Sequence, residues 1–528
     1  MDVNPEKSTA VYFSRTNAYY RSIQPNIRMF GKPIPWANKV KYLGVTLDCR
    51  LNFKAHINKV RNKAAFYLCR LAPLIRNPKL SLRSKVRLAI SSSQQWSALV
   101  ADVISTCMRV TECAAPIVNN SSPEGHLPMD SGVKLGSGSG QVTAQMVLLC
   151  AWRSVKEVSL LLGSISSRLT IEGESRDSTV THAQVVGIGR HLTTLLAETK
   201  HRGAFEQAYV GFSMLLTRLW SCRSESLLSL PGAWLSGLMA DIAGGGGGKL
   251  CATRRSAGVP YIIQALVTTE LQVNGRPRCF HRCMSRLLAL ARRDPHQEHT
   301  VEVETRTHSL NILRALFRNT CLGEASAGYV GQGLLVAIRG FDANTWAERN
   351  SATLLFSALT VRIFGVQRSR DGDNLCVRNK MTGRIFFLRY PQLYDFMLNK
   401  LQEASEAADS RLLQPSLYPA LLLLARLYPS SLEGTVSNLK LVSFIPHVQS
   451  CGRSAVLKTR QLAARAMPPL ISPEQYPGHV TGMLEVLVGG GGCTNYCHGV
   501  LLQDIVLSSL RKKQLTVYFL VKHLYRNP

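Results

Sequence analysis

From Val142 onward, apolar residues recur at three- and four-residue intervals with charged ones filling the gaps, which is the spacing of helices that bury one face. The first clear run sets Leu148, Trp152, Val155, Val158 and Leu162 on one side, with Arg153, Lys156 and Glu157 elsewhere. The same period predicts helices over Gln184–Ala197, Phe205–Trp220, Gly258–Leu271, Cys283–Ala291, Ser309–Phe317 and Tyr329–Phe341. It continues through Asn350–Phe364, Tyr394–Glu403, Tyr418–Tyr428, Ser454–Arg465, His479–Val488 and Tyr496–Leu510. The first ninety or so residues read differently. Val11–Phe13, Ile27–Phe30 and Val40–Leu47 are short β-prone runs, with a turn expected at Gly31, Lys32 and Pro33. A basic amphipathic helix should follow from Ile57 through Val60, Ala64, Tyr67 or Leu68, and Leu71, ending at Pro73.

Helices of roughly ten to twenty residues, broken by Gly, Pro and Ser at intervals of about 40, predict stacked helical pairs. The expected fold is mainly α, a HEAT/armadillo-like helical-repeat solenoid with a small α+β N-terminal segment. An irregular helical domain is the alternative, because no strict sequence period is visible. The expected division is 1–92, a junction with a Gly/Ser-containing loop at 93–141, the helical-repeat domain at 142–510, and a short basic tail at 511–528. A solenoid presents a long face to a partner, which suits a scaffold.

At 528 residues the chain is too long for one compact core. No window offers about 18 uncharged apolar residues, so no membrane span is expected. The first thirty residues carry Lys7, Arg15, Arg21 and Arg28 without an apolar core, unlike a secretory signal. Cytoplasmic placement is therefore expected, and the 14 scattered cysteines read as reduced thiols. Cys279 and Cys283 around His281, and Cys493 and Cys497 beside His498, have spacings that suit one helix face as readily as a metal, and no second ligand pair stands at a usual distance. The net charge of +30 is uneven: residues 1–92 hold 18 Lys and Arg against 3 Asp and Glu. Such asymmetry favours a polyanionic partner or simply a solubilising surface.

Glycine clusters do not make phosphate cradles here. Gly136–Gly140 lacks a preceding strand, Gly187 and Gly189 sit inside a helical pattern, and Gly244–Lys249 is followed by Leu250 where a hydroxyl residue is needed. Gly244–Gly248 and Gly489–Gly492 should be loops between helices.

N-P-E-K-S at Asn4–Ser8, F-S-R at Phe13–Arg15, K-Y-L-G-V-T-L-D at Lys41–Asp48 and H-I at His56–Ile57 resemble non-LTR retrotransposon reverse transcriptase, where the chain passes from palm to thumb. Such polymerases use paired aspartates to hold two metals, and this sequence has no adjacent aspartates. What remains is a basic helix able to touch phosphates.

Further on, W-R-S-V-K-E-V-S-L-L-L-G at Trp152–Gly163, K-H-R-G-A-F-E at Lys200–Glu206, R-R-S-A-G-V-P-Y at Arg254–Tyr261 and L-N-I-L-R-A-L-F-R at Leu310–Arg318 resemble the THADA family. So do the apolar run Arg349–Val366, N-K-M-T-G-R at Asn379–Arg384, R-Y-P at Arg389–Pro391 and N-Y-C-H-G-V-L-L-Q at Asn495–Gln503. The resemblance implies a non-catalytic regulator working with an FtsJ-like tRNA 2′-O-methyltransferase on an anticodon-loop ribose. It implies no cofactor in this chain, with S-adenosylmethionine (SAM) held by the partner enzyme. Family members are longer, so exposed apolar layers are expected at the ends of this stretch. The Arg-rich signature falls on Arg254, Arg255, Ser256, Gly258 and Pro260. Its guanidiniums suit RNA phosphates or a partner carboxylate, or else a helix cap or internal ion pair. Lys200 and Arg202 form a second basic cluster, either a contact or a solvated face. Asn350 is expected to cap its helix, and Asn495 and His498 to cap and orient the last one, with Gln503 facing a neighbour. A retroelement-derived nucleic-acid-binding fragment and a protein scaffold without an RNA role remain alternatives.

Overall fold

A computed structural model describes residues 10, 26–42, 45–48, 58, 62, 82–119, 144–173, 178–244, 258–292, 302–365, 381–406, 414–428, 440–488 and 494–524. These are mainly helical, and their strands are confined to the N-terminal segment. There β1 (Arg28–Met29) pairs antiparallel with β2 (Lys32–Pro33), and β3 (Lys39–Tyr42) with β4 (Val45–Asp48), Val40 facing Leu47. The first turn is tighter than expected. Phe30 and Gly31 both take positive φ, the two-residue solution that matches strand twist, so Lys32 and Pro33 belong to the strand. Of the basic helix expected after Ile57, only Asn58 and Asn62 are described, and both are helical.

The chain divides into two compact units, residues 1–235 with 257–276, and 236–256 with 277–528. In the first, α1 (Leu82–Val118) runs unbroken past residue 92, so the expected junction is helical as far as 118. Then come α2 (Ala144–Arg168), α3 (His182–Glu198), α4 (Arg202–Trp220), the single turn α5 (Glu225–Leu228), the start of α6 (Leu230–Ala243), and α7 (Val259–Asn274). Helix α3 opens with a full capping box between Thr181 and Gln184, and buries Val185, Ile188, Leu192, Leu195 and Leu196 as its spacing predicts. Helices α1, α2, α4 and α7 pack in succession, and α3 fills in against α4 and α7. The α2–α4 crossing is close because Gly211 faces the backbone of Ser159 and Gly163 faces Gly211. Glu225–Ala243 is apolar enough overall to cross a membrane. It is nevertheless broken at Ser229, and the 14 residues of α6 fall short of a span.

The second unit holds α8 (Arg278–Ala291), α9 (Val303–Arg318), α10 (Val330–Gly340), α11 (Trp346–Phe364), α12 (Gly383–Arg389), α13 (Gln392–Glu406) and α14 (Leu417–Leu424). It ends with α15 (Ile445–Cys451), α16 (Leu457–Ala466), α17 (Tyr476–Val488) and α18 (Thr494–Leu524). Packing partners are often next but one in sequence. Helix α9 lies on α11, α14 on α16, α16 on α18, and α13 bridges α10 and α15. Two rows built this way are what stacked helical pairs produce. Phe364, Phe386, Phe387 and Phe444 join the rows as a continuous aromatic layer. Helix α18 continues to Leu524, through the expected tail.

Helix α9 has an unusually polar core side: Thr305, Arg306, Thr307, His308, Ser309 and Asn311 are all buried. Thr305 donates to the carbonyl of Ile242 (2.9 Å), and Ser309 to that of Thr305 (2.8 Å). Burial pushes His308 down to about 4, whereas an unfolded chain holds histidine near 6.5. The unfolded state therefore binds the additional proton between those values. Stability is complete above about pH 6.5 and drains as pH falls toward 4, by roughly 3 kcal/mol. Urea midpoints at pH 7 and 4.5 should show a smaller acid loss in His308→Gln than in the parent. An identical loss would place the effect elsewhere.

Candidate functional site

Two motifs far apart in sequence meet in the first unit. Gly258, the N-cap of α7, lies so close to the last turn of α3 that a Cβ would strike the carbonyl of Leu196. Pro260 is the second residue of α7, where the missing N–H costs nothing, and it is buried. Tyr261 follows, its ring 5.2 Å from that of Phe205 and 5.7 Å from that of Tyr209 on α4. Gln264 Nε2 donates to Tyr209 Oη (3.4 Å). R-R-S-A-G-V-P-Y and K-H-R-G-A-F-E are thus neighbours through Tyr261 and Phe205. Arg254, Arg255 and Ser256 lie outside the described residues.

The Lys200–Arg202 cluster forms the entry to α4. The backbone N–H groups of Lys200 and His201 both donate to the Val118 carbonyl (3.1 and 3.2 Å), closing the end of α1. His201 Nδ1 accepts from the Ala204 N–H (3.3 Å) as an N-cap, and its ring stacks on Trp152 at 5.5 Å. Burial pulls the His201 imidazole below its ordinary value. The ring thus stays neutral, as a ring nitrogen that accepts must. Lys200 is half-buried. Arg202 is 82% exposed, with Nε donating to Glu206 Oε1 at 2.7 Å. An exposed pair of this kind contributes little to stability and is readily exchanged for an external anion.

In the second unit Asn350, Asn495 and His498 all lie within helices and not at their capping positions. Helix α11 starts at Trp346 with Thr345 accepting from the Glu348 N–H, so Asn350 lies inside the helix and does not cap it. The capping residue was legible: T-W-A-E at 345–348 spells a capping box. Arg349 Nη1 donates to the carbonyls of Ala343 (2.7 Å) and Asn344 (2.9 Å). Arg362 reaches the Phe317 and Gly323 carbonyls (2.7 and 2.6 Å), tying down the end of α9.

Asn495 and His498, in the first turn of α18, both converge on Arg460 of α16. Arg460 Nη1 donates to Asn495 Oδ1 (3.0 Å) and to the Ser454 and Ala455 carbonyls (2.6 and 3.2 Å), while Nε donates to His498 Nδ1 (3.2 Å). Guanidinium only donates, so His498 carries its proton on Nε2. Nothing in the sequence marked Arg460 as the hub. Asn495→Ala or His498→Ala should each lower stability by about 1.5–3 kcal/mol, the worth of a hydrogen bond to a buried charge. A thermal midpoint matching the parent would show that these side chains do no more than begin the helix. Gln503 is buried on the same helix, its amide nitrogen near Gly452.

Cys279 and Cys283 face the core of α8, with Cys283 Sγ 3.9 Å from Met239 Sδ and its thiol pushed well up by burial. His281 points the other way, to Tyr329 Oη (3.0 Å), so the trio does not converge. Cys493 lies outside the described residues.

Two family models match in tandem: THADA/TRM732 DUF2428 over residues 98–347, and the C-terminal TPR repeats of Trm732 over 349–506. This chain carries the domains of the THADA/Trm732 family. The DUF2428 segment contains both halves of the Gly258–Leu196 contact, and the TPR segment contains the Arg460 hub. The tRNA (32-2′-O)-methyltransferase regulator THADA of Drosophila melanogaster is 42% identical over 427 residues, covering 73% of this chain and 24% of that protein. The human regulator of the same name is 37% identical over 491 residues, 80% of this chain and 24% of its own. The Schizosaccharomyces pombe tRNA (32-2′-O)-methyltransferase regulator trm732 is 27% identical over 433 residues, covering 81% and 28%. The chain therefore spans about a quarter of the length of these relatives.

Proposed function

We propose that this chain is a non-catalytic regulatory subunit for 2′-O-methylation of a tRNA anticodon-loop ribose, at the position 32 named in its relatives. The observation that carries the reading is the unbroken tandem match of both regulator domains on helical stacks. The partner is an FtsJ-like enzyme that binds SAM and transfers the methyl group in the cytoplasm. This chain's task is to orient, and fixing two reactants in one geometry lowers the barrier without new bond chemistry. Lys200 and Arg202, with Arg254 and Arg255 of the R-R-S-A-G-V-P-Y motif, are the positive charges this reading assigns to RNA phosphates or a carboxylate of the enzyme.

The test combines the purified chain, the cognate methyltransferase, unmodified tRNA and SAM, and measures ribose methylation at position 32. Stimulation is expected, and Arg254→Ala/Arg255→Ala should reduce it while leaving the thermal midpoint unchanged. No stimulation by a full-length family protein, with an enzyme shown to bind SAM, would sink the regulatory role.

We also infer that residues 1–92 descend from a retroelement polymerase, supported by the K-Y-L-G-V-T-L-D motif and its β3–β4 hairpin. Sequencing transcripts across Leu88–Val100 tests whether that segment is joined in the cell. A transcript lacking the join removes it from the protein.

A further inference from the structure

Helix α8 separates its two sides sharply. Cys279, Phe280, Cys283, Met284, Leu287 and Leu288 are buried, while Arg278, Arg282 and Arg286 stand exposed at every fourth residue. At 1.5 Å per residue these arginines repeat about every 6 Å along one stripe. The helix contains no Asp or Glu, and among the described residues no carboxylate pairs with any of the three. Like charges four residues apart repel, so an unpaired row of this kind is unfavourable until an external anion neutralises it. A ring pair flanks the row. Exposed His281 places Nδ1 3.0 Å from Tyr329 Oη, the two rings 5.8 Å apart, and buried Phe280 holds Tyr329 edge-on at 6.1 Å.

Regularly spaced guanidiniums beside a fixed aromatic pair match what single-stranded RNA offers, successive phosphates and unstacked bases. An acidic protein surface would use the charges and leave the rings idle. The geometry points to this face of α8 as a docking strip for single-stranded RNA, with Arg278, Arg282 and Arg286 on the backbone and the His281–Tyr329 pair against a base. The proposal rests on the tRNA reading above and gives the RNA a surface in the second unit, apart from the Gly258 motif.

Binding of the full chain to a fluorescein-labelled single-stranded RNA, followed by anisotropy over a salt series, tests it. Arg278→Gln/Arg282→Gln/Arg286→Gln should weaken binding about tenfold or more. It should also flatten the dependence of log affinity on log salt by about 2, since each single-strand phosphate contact contributes about 0.7. His281→Ala should weaken binding with the salt slope unchanged. If the triple variant does not fold, Arg282→Gln alone should lower the slope by about 0.7. Unchanged affinity and slope would overturn the strip. So would absence of RNA binding by the parent chain, or displacement of the RNA by polyglutamate as effective as by unlabelled RNA. Methylation assayed in parallel separates the two readings: stimulation with RNA affinity indifferent to the arginines refutes only the strip. RNA binding that depends on the arginines, while a full-length family protein gives no stimulation, refutes only the regulatory role.

Discussion

Glu348→Ala should cost the second unit about 3–5 kcal/mol, read as a fall in its urea midpoint, because the change removes the carboxylate paired with a buried guanidinium. Arg306 Nε donates to Glu348 Oε1 at 3.0 Å, with the two side chains only 10% and 4% exposed. The pair joins the start of α11 to the start of α9, whose buried positions are otherwise taken by Thr305, Thr307, His308 and Ser309. In that setting an ion has few solvent dipoles to replace its partner. Arg306→Met/Glu348→Leu should recover much of the loss, since removing both charges removes the desolvation cost as well. A single-variant loss below about 1 kcal/mol would mean that the pair behaves as a surface contact.

The same helix shows what the sequence could and could not convey. The predicted helix over Asn350–Phe364 and its buried Leu355, Phe356 and Leu359 are present, since apolar period directly reports burial, but Ile363, which the same spacing places in the core, is only half-buried near the helix end. Its first turn escaped because Trp346 is exposed, so the apolar pattern begins one turn late. Helix α6 escaped for a different reason: L-P-G-A-W-L-S-G reads as a loop, yet Pro231 falls in the first turn, and Trp234 packs against Gly189 of α3. The seven-residue helices α12 and α15 are shorter than any window that resolves a 3.6-residue period. For the candidate site, sequence located the motifs but not their contacts. Arg349, Arg362 and Arg460 look alike in sequence to Arg278, Arg282 and Arg286. What separates them is whether a distant stretch of backbone supplies carbonyls, as at Phe317 and Gly323 for Arg362. Charge can be read from the sequence one residue at a time, and its neutralisation cannot.

Gly258→Val should destabilise the first unit by about 3 kcal/mol or more and abolish methylation support together with the fold, unlike replacement of the neighbouring arginines. No left-handed backbone requires glycine here, for φ is −90°. The requirement is lateral. The space a Cβ would occupy is already filled by the Leu196 carbonyl and its adjoining backbone, and neither can swing aside as the end of a flexible side chain would. Separating α7 from α3 to make room would also disturb the Tyr261 contacts with Phe205 and Tyr209, which join the two basic motifs. Gly482, inside α17 with open space around it, is the matching control. There alanine should add about 0.5–1 kcal/mol by relieving the helix of glycine's backbone freedom. Thermal melts of the two variants should therefore move in opposite directions. If Gly258→Val melts with the parent, α7 does not meet the end of α3 as closely as described.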